Sequence, residues 1–405
     1  MKHTILSACL LIWGPLAFGG WIQQNSGTTL NLYSVSFHHG SNLRAWACGD
    51  SGVIVATTNG GATWVRQNSG TMLPLYSITF SEESGRILAG GEQGILLYST
   101  NDGSTWIQSA SPTTTTIRSI SHFRFYAVGD SGTILKSTDS GTSWSLRPSG
   151  TTLRLNAACG GFGDFVAGDS GLVLRTTNNG NSWFSLNTGR SENIYGIPLF
   201  GSLDLLAGDR GLILKSTNSG NTWIPANSGT LNKLSSVEYS TNNVSRIYAV
   251  GDNGTILKST DAGVTWGFQA STTTANLHST FFYLNDAQGY AVGDGGTILR
   301  TTDGGGAITS ARNDATHPLA ARLDQNYPNP FNPKTKIGFQ VARNGWVMLR
   351  VFDLQGREVV TLVDDTLPTG AYETYLDGGV MASGVYLYQL QTESYIETKK
   401  LVLVK

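Results

Sequence analysis

Charge is scarce in this sequence. Asp, Glu, Lys and Arg make up 14% of the 405 residues and nearly cancel, leaving a net charge of −1. Lys and Arg form no runs, which argues against nucleic acid as the main partner. No apolar stretch reaches the length needed to span a bilayer, so no transmembrane segment is expected. Cysteine is limited to Cys9, Cys48 and Cys159, too few and too dispersed for a disulfide framework. Patterns for long amphipathic helices are missing as well. Gly is abundant instead, at 50 residues, together with Ser, Thr and Asn. Such a composition builds polar turns and short strands, and the length leaves room for one large domain and one small one.

Residues 1–20 differ from the rest. Lys2 and His3 precede an apolar run, Leu10 to Phe18, that ends in Gly19-Gly20. This is the shape of a secretory signal peptide cut near Gly19 or Gly20. Leu6-Ser7-Ala8-Cys9 reads like a lipoprotein box, but its Cys precedes the apolar region instead of following it, which argues against lipidation.

The remainder is organised by an internal repeat. A Gly-Asp-x-Gly tetrad, or a near copy, begins at Gly49, Gly91, Gly129, Gly168, Gly208, Gly251 and Gly293. Five residues past each tetrad a Ser/Thr-x-Asp/Asn-x-Gly-x-Ser/Thr-Trp box begins, as in Ser137 to Trp144 and Ser259 to Trp266. The boxes end at Trp64, Trp106, Trp144, Trp183, Trp223 and Trp266, a period of 38 to 43 residues. Each unit reads as four strands rich in aromatic and β-branched residues, which is the pattern of a propeller blade. Cys48 and Cys159 fall in different units and read as buried thiols.

The seventh unit is incomplete. Its box, Thr301 to Ile308, has Ile where Trp belongs, while Trp21-Ile22-Gln23-Gln24-Asn25-Ser26-Gly27 matches the fourth strand Trp64-Val65-Arg66-Gln67-Asn68-Ser69-Gly70. The sequence therefore predicts an all-β chain: a seven-bladed β-propeller over 21–306, its last blade closed by the N-terminal strand. Closure of this kind hides sheet edges.

These boxes resemble the Asp-box, or bacterial neuraminidase repeat. The whole unit, over residues 21 to about 305, is similar to the propellers of the photosystem II stability/assembly factor family. The resemblance speaks for fold, because the same repeat serves many roles. It would also imply an arginine patch on the propeller, for which Arg118, Arg154 and Arg210 are the candidates.

The box residues Asn59, Asn101, Asp139, Asn178, Asn218, Asp261 and Asp303 are read as structural. Their side chains suit hydrogen bonds to the turn backbone, with Gly at positive φ and Trp between blades. Asn replaces Asp at four of these positions, which a metal ligand or proton carrier would tolerate poorly. The tetrad Asp is likewise expected to cap its turn. No metal site, cofactor or catalytic residue is assigned.

Function is sought where the repeat varies. Aligned first strands place Tyr33, Tyr76, Arg118, Asn156, Tyr195, Ser235 and His278 at one equivalent site. Propeller geometry puts that site at the mouth of the central channel, on the face away from the boxes. The x position of the tetrad, with Gln93, Arg210 and Asn253, falls on the same face. A ring of Tyr33, Tyr76, Arg118, Arg154, Tyr195, Arg210 and His278 would suit a peptide, glycan or other polar ligand, although solvated loop ends would look the same. An enzyme would need more. A sialidase needs clustered arginines, a Tyr nucleophile and an acid, and a box-bearing glucanase needs two facing acids. Glu192, Glu238 and Asp164 are merely the acids outside the repeated motifs.

After a linker over 307–323, a second domain, 324–405, opens with Asn326-Tyr327-Pro328-Asn329-Pro330-Phe331-Asn332-Pro333. The prolines hold an extended segment with Tyr327 and Phe331 available to pack. Alternating strands at 336–341, 347–353, 358–363, 371–376, 384–391 and 399–404 predict an immunoglobulin-like sandwich. The opening motif, Val351 to Val359, Ala382 to Tyr386 and the ending Lys399 to Lys405 resemble the type A sorting domain of the type IX secretion system. The resemblance implies export through that translocon to the medium or the cell surface. The expectation is thus an exported, monomeric, non-catalytic binding module for a protein or glycan. A glycan-active hydrolase and a photosystem-type assembly scaffold are the alternatives.

Overall fold

The computed structural model describes residues 20–308 except 39, 42, 122, 161–163, 199–203, 241–242 and 284–286. It also describes 321–404 except 342–344, 368–369 and 393–394. The expected signal peptide up to Gly19, with Cys9, and the linker residues 309–320 lie outside the described residues.

Each repeat folds into one antiparallel sheet. In the first blade Leu32–Phe37, Ala45–Gly49, Ile54–Thr57 and Val65–Gln67 lie side by side in chain order. Seven four-stranded sheets of this kind form among the described residues of the first unit. In the seventh, Leu277–Phe282, Gly289–Gly293 and Ile298–Thr301 are joined by Ile22–Gln24 from the other end of the chain. Ile22 pairs with Arg300, Gln23 with Leu299 and Gln24 with Ile298. First strands of successive blades touch in cyclic order, and Leu277–Phe282 returns to Leu32–Phe37. The sheets therefore close into the propeller that the repeat predicts.

The core lies in the seams between blades. Trp64 of the first blade packs with Tyr290, Val292 and Ile298 of the seventh, its ring edge-on to Tyr290 at 5.4 Å. Trp183 meets Tyr126 of the preceding blade in the same way, at 5.4 Å. Trp21 is the seventh of these wedges: it is buried against Tyr248, Val250 and Ile256 of the sixth blade and Phe282 of the seventh. Its indole N–H donates to Gln269 Oε1 at 3.1 Å. Cys48 and Cys159 are buried thiols, and burial pushes Cys48 well above the usual thiol range.

The boxes are hydrogen-bonded turns. Asp139 Oδ1 accepts from the Ser143 N–H at 2.9 Å, and its Oδ2 accepts from the Ser143 hydroxyl at 2.6 Å. Where Asn stands, the hydroxyl changes role: Asn59 Nδ2 donates to Thr63 Oγ1 at 2.8 Å while Oδ1 still accepts the Thr63 N–H at 2.9 Å. A hydroxyl can donate or accept, so both residue types close the same turn. The first Gly of each tetrad is required by close approach: a Cβ on Gly49 would lie 1.8 Å from the carbonyl oxygen of Asn31.

The second unit is a two-sheet sandwich. Arg322–Leu323, Lys334–Val341 and Gly370–Asp377 form one sheet. Glu358–Leu367, Gly345–Phe352, Gly384–Thr392 and Ile396–Leu403 form the other, in that order. Alternate residues such as Ile337, Phe339, Val347, Leu349, Leu390 and Leu401 fill the space between them. The expected linker end at Leu323 is too late, since Leu323 pairs with Phe339 and is buried in this core. Tyr327 does not pack either. Its backbone pairs with Lys336 in both directions, which turns the ring outward to 78% exposure, while Phe331 is buried.

Candidate functional site at the channel mouth

Seven irregularities in the ladders build this site. In every blade, pairing between the first and second strands skips one residue. Leu32 opposes Gly49 and Ser34 opposes Cys48, leaving Tyr33 as the extra residue. The same shift isolates Tyr76, Arg118, Asn156, Tyr195, Ser235 and His278. A bulge of this kind re-aims the side chain of its extra residue. All seven of these residues line one cavity of about 170 Å³ at the centre of the ring.

The tetrad carboxylates complete the rim. Their turns are closed by backbone alone, as where the Val53 N–H donates to the Asp50 carbonyl at 3.0 Å. The expectation that tetrad Asp side chains cap these turns is therefore corrected: in five blades the acid pairs with the bulge residue of the same blade, and in the sixth Asp252 pairs with Lys233 at 3.6 Å instead. Tyr33 Oη donates to Asp50 at 2.7 Å, and Arg118 grips Asp130 with two bonds of 3.0 Å. Asn156 donates to Asp169 at 2.9 Å and Tyr195 to Asp209 at 3.3 Å. His278 Nε2 lies 2.6 Å from Asp294. The sequence signal for this pairing was present, since the acid and the bulge residue both recur once per blade, but nothing in a linear repeat says that they meet.

Neighbouring rim residues also touch across blades. Tyr33 lies 5.2 Å from the Tyr76 ring and 5.3 Å from the His278 ring. The Arg118 guanidinium sits 4.7 Å above Tyr76, and Lys233 Nζ sits 5.4 Å above Tyr195. Such cation–π contacts fix the orientation of both partners. Burial, reinforced by the Asp50 bond, pushes the Tyr33 phenol up to about 12. Burial also raises Tyr76 and Tyr195. For Arg118, burial works against the charge, but Asp130 outweighs it and holds the guanidinium above its usual value.

Two expected ring members stand outside the cavity wall. Arg154 bridges Asp130 at 3.3 Å and Asp169 at 3.9 Å on the rim above. Arg210 occupies the apex of its turn at φ 57° and points into solvent, because the left-handed apex residue projects away from the hairpin. The acids outside the repeated motifs do not converge. Glu238 lines the cavity in the sixth blade. Asp164 is buried in the fourth blade beside Arg124 and the Tyr126 hydroxyl. Glu192 lies on the loop before the fifth blade, accepting from the Ser191 N–H.

Sequence reasoning missed a second repeated position, directly after the bulge. Ser34, Ser77, Ser119 and Ser279 each accept a backbone N–H from the next blade, from Ile78, Ile120, Ala158 and Val35 at 3.1, 3.0, 3.2 and 3.4 Å. The last of these spans the closing seam. These bonds hold the inner strands, and with them the rim, in fixed relative positions.

Comparison with known proteins agrees with both units. Residues 325–405 match the family described as the Secretion system C-terminal sorting domain. Residues 225–302 match the family described as Photosynthesis system II assembly factor YCF48. Among solved structures the chain is similar to "YCF48 bound to D1 peptide", with a TM-score of 0.59 and 19% identity over 73% of this chain and 99% of that one. It is also similar to YCF48 from Cyanidioschyzon merolae, with a TM-score of 0.56 and 18% identity over 70% of this chain and 98% of that one. At such identities the likeness is one of fold. No curated protein matches the chain in sequence. The C-terminal unit is a type IX sorting tail and marks an exported protein, secreted or held at the cell surface. Among the described residues no helix is long and apolar enough to cross a membrane.

Proposed function

We propose that the propeller is a non-catalytic binding module that takes an extracellular protein or glycan ligand at the channel mouth, with the sorting tail delivering it through the type IX translocon. The observation that carries this reading is the convergence of seven bulge residues on one cavity. Bulges are costly interruptions of a ladder, and placing one at the same point of every blade spends sheet regularity on a display surface. At about 170 Å³ the cavity is smaller than pockets of ~300–1,000 Å³ that swallow a drug-sized ligand. A ligand lying across the rim with one group inserted fits that size better than an engulfed oligosaccharide. A similar propeller has been solved in complex with a D1 peptide, which favours a peptide over a glycan.

The hydrolase alternative is less favoured. Glu238 lines the cavity, but Asp164 is buried beside Arg124 and Tyr126 and Glu192 lies on a loop. The rim phenols are pushed toward the protonated form, which suits donors and disfavours a Tyr nucleophile. An assembly role inside a photosynthetic membrane is at odds with an export tail.

The test is to screen the purified mature protein against peptide and glycan arrays and against chromogenic glycosides. Binding that falls at least tenfold in Tyr195→Ala and Arg118→Ala, with no turnover, is the expected result. Glycoside turnover abolished by Glu238→Gln would overturn the reading.

A further inference from the structure

The seventh box differs from the other six at one position. In each of the six the residue before Trp is Ser or Thr, and its hydroxyl engages the box side chain. Thr63, Thr105, Ser182 and Thr222 accept from Nδ2 of Asn59, Asn101, Asn178 and Asn218 at 2.8 to 2.9 Å. Ser143 and Thr265 donate to Oδ2 of Asp139 and Asp261, both at 2.6 Å. In the seventh box Gly20 holds that position and has no hydroxyl. Its N–H still reaches Asp303 Oδ1 at 3.0 Å. The main-chain half of the pairing is kept and the side-chain half is missing.

Gly20 also stands where the leader is expected to end. A cut before Gly20 leaves Gly19 first and Ala17 third ahead of the cut, the small-residue spacing of a leader-peptidase site. A cut after Gly20 would put the bulky Phe18 at the third place. Packing separates the same two bonds. Trp21 is buried and Ile22 pairs with Arg300, whereas Gly20 is only half-buried and carries the bond to Asp303. A cut after Gly20 would remove the residue that makes this bond.

We propose, on the signal-peptide reading of residues 1–19, that the leader is cut between Gly19 and Gly20 and that the freed α-ammonium of Gly20 binds Asp303 as the last part of the propeller. A leader peptidase adds water across the Gly19–Gly20 bond. The water oxygen goes to the new Gly19 carboxylate on the leader, and both its protons go to the Gly20 nitrogen. The uncut amide offers Asp303 one N–H. The ammonium offers three and a positive charge, enough to serve both carboxylate oxygens, as the N–H and hydroxyl of Ser143 and Thr265 do in their boxes. Thr301, Gly305 and Gly306 hold the carboxylate from within the turn. An ammonium can only donate, so Asn at this box would turn its own N–H groups toward it; the seventh box carries Asp.

Full chains are prepared that begin at Gly20 or carry two alanines ahead of it, each with and without Asp303→Asn. Urea unfolding is followed by tryptophan fluorescence. At pH 7 the unfolding constant of the chain beginning at Gly20 is expected to be about threefold smaller than that of the extended chain, and Asp303→Asn should abolish the difference. An amine paired with a carboxylate stays protonated above the value of about 8 of a free chain end. Its stabilisation is present below that pH and lost as pH rises through the folded value, so the two chains should converge toward about pH 10. Labelling of the chain end in protein exported by its own cells, read by peptide mass, is expected to find Gly20 first. Equal stability at pH 7, a difference that survives Asp303→Asn, or a labelled end at Trp21 or any other residue would overturn the proposal. None of these outcomes bears on ligand binding, so the channel-mouth reading is tested separately.

Discussion

The backbone N–H of Gly20 donates to Oδ1 of Asp303 at 3.0 Å, joining residues 283 apart in sequence. In an intact box the same bond is local: the Thr63 N–H, one residue before Trp64, donates to Asn59 Oδ1 at 2.9 Å. Gly20 likewise stands one residue before Trp21. The seventh box is therefore a normal box in two pieces, with Thr301, Asp303 and Gly305 from one end of the propeller and Gly20 and Trp21 from the other. Ile308, which stands where Trp belongs in the sequence of the box, is left 40% exposed. This polar latch and the Trp21 wedge fasten the ring at the seam where the chain is not continuous.

Removing the latch is expected to loosen the whole propeller. Asp303 accepts from Thr301, Gly20 and Gly305, so Asp303→Ala deletes the acceptor for all three. Hydrogen bonds to a charged group contribute about 1.5–3 kcal/mol each way of counting, and a loss at the lower end of that range is expected for so shallow a site. Asp303→Asn keeps the acceptor and is expected to lose less than half as much, as Asn serves in four natural boxes. Partial burial raises the Asp303 carboxyl, but its donors outweigh that and hold it below the usual value. A depressed folded pKa gives stability that is present above the unfolded value of about 4 and lost as pH falls through the folded one. Urea unfolding from pH 7 to pH 3 should therefore show the wild type converging on Asp303→Asn at the acid end. A constant gap across that range would refute the latch as an ionised acceptor.

Much of this architecture was legible in the sequence, for a physical reason. Blades are local units, so Gly49, Asn59 and Trp64 report their turn and seam from one stretch of chain, and the missing Trp of the last unit pointed to Trp21. What stayed hidden was everything set by side-chain direction. The bulge at Tyr33 changes which way a side chain points without changing the composition of the strand. Tetrad Asp50 looked like a turn residue because backbone atoms that close the turn leave no mark in sequence. Arg210 occupies a repeated rim position yet faces solvent, since its left-handed backbone sends it outward. Tyr327 faces solvent for the same cause, its orientation being fixed by pairing with Lys336.

Ser77 offers a clean test of the seams. Its hydroxyl accepts the buried Ile120 N–H at 3.0 Å. Ser77→Ala should cost about 1–3 kcal/mol, the price of an orphaned buried donor. Hydrogen exchange should localise the effect to the first strands of the second and third blades. Protection of Ile120 equal to wild type would show that the seam does not depend on this bond.

Alkaline pH should act on the propeller through its phenols. Tyr33 and Tyr290 are both pushed up to about 12, chiefly by burial. For an acid whose folded pKa is raised, stability is intact below the unfolded value of about 10 and declines as pH climbs toward the folded one. Unfolding is thus expected to become easier between about pH 10 and pH 12, with phenolate absorbance appearing together with loss of structure. Tyr33→Phe should flatten part of that decline. Early phenolate signal from a fully folded protein, assigned to Tyr33, would contradict the burial argument.

In the sorting tail, Asn326 and Tyr327 are neighbours with opposite roles. Asn326 is buried, and its side-chain amide donates to the Pro328 carbonyl at 3.1 Å and to Thr335 Oγ1 at 2.9 Å. Its own N–H donates to the Tyr388 hydroxyl at 2.9 Å, and that hydroxyl donates to the Asp324 carbonyl at 2.7 Å. The opening segment is thereby tied to the middle of the four-stranded sheet. Asn326→Ala deletes both amide bonds but leaves the Thr335 hydroxyl donating to the Pro328 carbonyl at 2.8 Å, so a loss of about 0.5–1.5 kcal/mol of sandwich stability is expected. Tyr327→Ala removes an exposed ring and should stay within about 0.5 kcal/mol of wild type. Hydrogen exchange across residues 325–404 of the full chain measures both. If Tyr327→Ala impairs export while leaving exchange unchanged, its ring is a contact for the secretion machinery; if it loosens the sandwich as much as Asn326→Ala, the assignment of these two roles is wrong.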